Sequence, residues 1–99
     1  MGLARATGAD GGASQTFLVE HYWPEATPDA FQATTARVRA AVEEMAKSGA
    51  PLRFLHSTFV PAEGSALCVF SCPVPALVEA AYRRAGVDFD RVVGAVEAT

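Results

Sequence analysis

The sequence predicts one α+β domain with the element order β-α-β-β-α-β, and three observations predict it. Four short stretches are rich in β-branched and aromatic residues, and two longer segments between them repeat their apolar residues at helical spacing. Proline, glycine and small polar residues fall where the chain must turn. The length of 99 residues suits a single domain.

Each element follows in turn. Residues 16–22 read as the first strand, which Pro24 ends. Thr27-Pro28-Asp29 then supplies an N-cap, a proline at the first helical position and an acid in the first turn. The helix after it carries Phe31, Val38, Val42 and Met45 on one stripe, and Lys47-Ser48-Gly49 with Pro51 closes it. Residues 52–60 form a second strand, 61–65 a turn, and 66–72 a returning third strand. A shorter helix runs from Pro75 to Ala85 before Gly86, and residues 91–97 are the last strand. This is the split βαβ arrangement of ferredoxin-like folds, an antiparallel four-stranded sheet with two helices on one face.

Strand three places Ala66, Cys68, Phe70 and Cys72 on one face and Leu67, Val69 and Ser71 on the other. Two helices cover only one face. A wetted second face should alternate apolar with polar, and this one does not. The expectation is therefore a homodimer packed sheet to sheet, with a cavity between subunits.

Composition excludes several function classes. Half the residues are hydrophobic (51%), enough for a real core, and the net charge is −3 with no basic cluster beyond Arg83-Arg84. Nucleic acid is an unsuited partner. No apolar run approaches the roughly 20 residues of a membrane span. Residues 1–15 are small and flexible, read as a disordered tail ahead of a domain at 16–99; their glycines break up any secretory signal. Cys68 and Cys72 lie four apart in one strand, on the order of 13 Å, too far for a disulfide. Free thiols suit a reducing cytoplasm.

Candidate chemistry begins at Glu20-His21, a carboxylate beside an imidazole where an apolar strand ends. Strand neighbours face opposite ways, but a strand end relaxes that constraint. The pair is either a metal or acid–base site at a cavity mouth, or a surface glutamate beside a hydrogen-bonded histidine. His56 is the one other histidine, expected on the face of Phe54 and Thr58 with Arg53 opposite. Cys68 is a small hydrophobe or a soft ligand that needs a partner from another strand or subunit. Tyr22 and Trp23 wall a ligand pocket or pack at a dimer seam. Arg53 reaches an anionic ligand or pairs with Glu20. No phosphate-binding loop, dinucleotide fingerprint or G-x-S-x-G occurs.

The blocks FLVEHYWPEATPDAF, LRFLHSTFVP, LCVFSCP and AYRRAGVDFDRVV, in this order and spacing, resemble a family of small bacterial proteins related to a nickel-binding protein. The resemblance spans roughly residues 16–97. It implies a ferredoxin-like fold, a dimer and nickel. The relative's paired histidines fall on Glu20 and His21, and a further one falls near Val87, so this chain departs at two positions. It also has Val74 where a serine often caps the second helix.

The expected function is a small cytoplasmic homodimeric nickel-binding-like domain, with His21, Glu20, His56 and Cys68 as metal residues and Tyr22, Trp23 and Arg53 as pocket residues. One alternative is a cofactor-independent enzyme of cyclase, isomerase or monooxygenase type. Its base would be His21 or Glu20, at work in the inter-subunit cavity. The other is a partner-binding module without chemistry.

Overall fold

The structure is a computed structural model, and residues 14–98 are described. The elements are β1 (Gln15–Tyr22), α1 (Pro28–Lys47), β2 (Arg53–Val60), β3 (Ser65–Cys72), α2 (Pro75–Ala85) and β4 (Arg91–Ala95). The expected tail lies almost wholly outside the described residues; Gln15, assigned to it, opens β1 instead. β4 ends at Ala95, two residues short of expectation, and Val96 beyond it is 99% exposed.

The helix ends follow the sequence chemistry. Thr27 accepts the Ala30 N–H at 3.0 Å as N-cap of α1, and Pro28 needs no N–H there. Val74 offers α2 no side-chain cap, leaving Pro75 as its start signal, and Gly86 ends it at φ +69, a left-handed position that favours glycine.

The strands run in the order β2-β3-β1-β4, all neighbours antiparallel. Register fixes the faces. Phe17 opposes Phe70, Val19 opposes Cys68 and His21 opposes Ala66, so these six share the side under the helices. There they join Val38, Val42, Val78 and Ala81 in one buried core. Edge-on aromatic contacts thread it: Phe54 to Phe70 at 5.2 Å, Phe70 to Tyr82 at 5.9 Å and Tyr82 to Phe89 at 5.3 Å. The opposite face carries Leu18, Leu67, Val69 and Val93, flanked by Glu20, Tyr22 and Arg91, and no helix of the described residues lies over it.

β2 departs from simple alternation. Phe54 opposes Phe70 but His56 opposes Val69, so Leu55 is an extra residue in β2. A bulge of this kind resets which side each residue faces. His56 therefore lies on the open face, not with Phe54, and Arg53 shares that face rather than opposing it. Both expectations were built on unbroken alternation, and the bulge overturns them.

Candidate functional site

β1 ends where three segments meet. Its last residues are held from two sides: the Tyr22 N–H donates to the Asp90 carboxylate, and the Asp90 N–H donates to the Glu20 carbonyl at 2.9 Å. One residue on, the Trp23 N–H donates to the Gly64 carbonyl at 2.6 Å, tying the exit of β1 to the β2–β3 turn. Trp23 then folds back over the helix side of the sheet and stacks on His21, with ring centroids 5.6 Å apart and planes 11° from parallel.

Around this stacked pair lies an open groove. His21 and Trp23 form one wall, Thr34 and Arg37 of α1 the second, and Val87 and Asp88 after α2 the third. Beneath it a narrow apolar recess runs inward past Val19, Phe31 and Val38 to Cys68 and Tyr82, with room for about one water-sized molecule. Thr35 also lines the recess and, among the described residues, is the one buried polar side chain, at 8% exposure.

Arg37 is placed by the end of α2. Its Nη2 donates to the Ala85 carbonyl at 2.7 Å and the Gly86 carbonyl at 3.2 Å. Those carbonyls have no partner within their own helix and carry the negative end of its dipole. The Cys68 thiol sits in the opposite situation. Burial pushes its pKa up, and neighbouring Tyr82 and the Arg39 charge offset this only in part, so the sulfur keeps its proton. Burial holds the Tyr82 phenol far above its ordinary range as well. Cys68 and Cys72 are free thiols.

The predicted metal residues divide between the two faces. His21 and Cys68 share the helix side, diagonal across the β1–β3 ladder. Glu20 points to the open face, where its Oε1 accepts from Arg91 Nε at 2.6 Å. His56 is also on the open face, with Nε2 3.5 Å from Glu97. The relaxation expected at the strand end does not happen, because β1 stays paired with β3 through Tyr22. The predicted pocket residues separate too. Trp23 enters the groove, Tyr22 is 65% exposed on the other face, and Arg53 lies opposite Ser71 while Tyr22 lies opposite Ser65, roughly 20 Å along β3.

Three groove residues escaped the sequence reading: Thr34, Arg37 and Asp88. Arg37 falls outside the apolar stripe of α1, yet the crossing of the two helices brings it over the end of α2. Asp88 had a usable signal. It is the residue after Val87, the position where the resemblance placed a further histidine.

Nickel is served by imidazole and, less softly, by carboxylate oxygen. The groove offers one of each, His21 and Asp88. Among the described residues no three His, Cys, Asp or Glu side chains gather to hold an ion. The donors therefore fit an open, loosely held site and do not fit a closed cage of protein ligands.

Fold and groove together define a small split-βαβ protein with an imidazole at the end of its first strand. The chain belongs to the family described as nickel responsive protein SCO4226-like, whose model matches residues 17–94. The fold is shared with the crystal structure of SCO4226 from Streptomyces coelicolor A3(2), at a TM-score of 0.68 and 19% identity, over 85% of this chain and 99% of that one. Comparison with the curated proteins finds no match. Among the described residues no helix is long and apolar enough to cross a membrane.

Proposed function

We propose that the protein is a homodimeric nickel-binding domain that holds the ion loosely in the groove at the end of β1, with His21 and Asp88 as its donors. The observation that carries this reading is that an imidazole and a carboxylate from distant parts of the chain line one groove, in a member of a nickel-responsive family. Two donors leave most of the coordination sphere open, which suits an ion that is sensed or passed on. Two protonated, buried thiols fit a reducing compartment, the cytoplasm.

Dimerisation through the open face is part of the proposal, supported by Leu18, Leu67, Val69 and Val93, which no helix of the described residues covers. In such a dimer both grooves face outward, because they lie on the helix side. A partner subunit then adds no ligand, and each groove works alone.

Trp23 is the sole tryptophan and stacks on His21, so its fluorescence reports directly on the site. Nickel titration should quench it saturably, more weakly as the pH falls because only neutral imidazole ligates. His21→Ala and Asp88→Asn should each reduce the uptake seen by native mass spectrometry of the dimer. Stoichiometric uptake that survives His21→Ala would overturn the assignment.

The enzyme reading finds less support. Its cavity would lie between subunits on the open face, where Glu20, Tyr22 and Leu67 line a depression, and there the Glu20 carboxylate is already held by Arg91 at 2.6 Å.

A further inference from the structure

The groove that holds His21 and Asp88 also holds a cation. Arg37 is anchored there by two carbonyls, both reached through Nη2. A guanidinium has five N–H donors in a rigid fork, and those of Nη1 and Nε make no hydrogen bond among the described residues. No carboxylate among the described residues lies within ion-pair reach of Arg37, although Asp88 lines the same groove. Thr34, one turn earlier on α1, adds a hydroxyl on the same side.

This set holds a bare divalent ion only loosely. Arg37 repels it, and two donors leave most of its coordination to solvent. A small anion that chelates the metal removes both difficulties, since it supplies the missing donors and brings negative charge to Arg37. The fixed fork matches a carboxylate in two-point contact, which a point charge would not.

We propose that the groove takes nickel as a complex with a small carboxylate chelator, with His21 and Asp88 as the protein's donors to the metal and Arg37 and Thr34 gripping a carboxylate of the chelator. This rests on the metal reading of the groove and names the form in which the ion arrives. The His21 imidazole and the Asp88 carboxylate would each replace one metal-bound water, with no change of oxidation state. Trp23, already stacked on His21, forms the flat wall against which the complex lies.

The test is calorimetric titration of the dimer, with Trp23 emission recorded in parallel. The probes are nickel chloride, nickel–citrate, nickel–histidine and metal-free citrate. One of the two nickel complexes should bind at least tenfold more tightly than nickel chloride, roughly what hydrogen bonds to a charged group supply. Which complex does so separates a hydroxycarboxylate from an amino-carboxylate source. Arg37→Gln should erase most of that advantage, while nickel chloride, no longer repelled by the guanidinium, should bind no more weakly than before. Arg84→Gln, at a surface arginine paired with Glu44, should change neither. If Arg37→Gln melts too low to titrate, Thr34→Val carries the test with a loss of a few fold for the complex alone.

Nickel chloride binding as tightly as both complexes overturns the inference and leaves the metal reading standing. Metal-free citrate binding as tightly as nickel–citrate overturns both, leaving a plain anion site. No binding by any nickel species also overturns both.

Discussion

Gly64 backs onto Pro24 so closely that a Cβ at Gly64 would lie 2.6 Å from the Pro24 Cα and 3.0 Å from its nitrogen. Gly64 also sits at φ +66, where a side chain is strained. Its carbonyl accepts the Trp23 N–H, so the contact that needs a glycine is the one that sets Trp23 over His21. Gly64→Ala must both strain its own backbone and push Pro24 away. The expected cost is about 2–3 kcal/mol in urea unfolding, with a shifted Trp23 emission as the stack on His21 is disturbed. An unchanged emission spectrum with full stability would show that the turn does not position Trp23.

Most of the fold was legible because its signals are local. Thr27 and Pro28 at the start of α1, Gly86 at the end of α2 and the alternation of β3 each act within a few residues, and each behaves as its chemistry dictates. The face of His56 was not legible, since a single extra residue at Leu55 reverses every assignment before it and no local residue announces it. The site was half legible. His21 and Trp23 stand out at a strand end, but Glu20 is lost to Arg91 through a register that only the folded sheet defines. Arg37 and Asp88 reach the groove from elements 51 residues apart in sequence, a juxtaposition that helix crossing creates and periodicity cannot show.

Thr35 is buried in the core, and its hydroxyl makes no hydrogen bond among the described residues. A buried hydroxyl without a partner costs stability, so an apolar isostere should be neutral or favourable. Thr35→Val is expected to hold or raise stability by up to about 1 kcal/mol, measured as the urea midpoint at constant slope. A loss of more than that would mean that the hydroxyl is bonded in the folded protein, to a water in the recess or to the chain.

Cys68 and Tyr82 give the protein an alkaline limit. Both pKa values are raised by burial, so the folded state keeps protons that the unfolded chain releases. Stability is full below the ordinary thiol range and falls as the pH climbs through it and through the phenol range towards the raised folded values. Each group contributes at most about 1.4 kcal/mol per pH unit within its window. Urea midpoints between pH 7.5 and 10.5 should decline (both figures roughly bracket the thiol and phenol ranges). Tyr82→Phe should shallow the decline at its upper end, and Cys68 should resist thiol reagents at neutral pH until the protein is unfolded. A flat pH profile would contradict the burial of both groups.

The open face makes the last prediction. Leu67 lies between Glu20 and Thr58 in the register, half-buried at the centre of the exposed side of the sheet. In a monomer it faces water, and Leu67→Glu would be nearly neutral for folding. In a sheet-to-sheet dimer it meets the partner, and two glutamates are forced into an apolar seam beside Glu20, with Arg91 on that face already paired to Glu20. Leu67→Glu should therefore shift the species from dimer to monomer in analytical ultracentrifugation at micromolar protein. Thr58→Glu sits one strand nearer the edge, on β2, and should weaken association less. Because His21 and Asp88 lie on the helix side, the monomeric Leu67→Glu variant should still quench Trp23 on nickel addition with the affinity of the dimer. A variant that loses quenching together with dimerisation would show instead that the groove is completed across the interface.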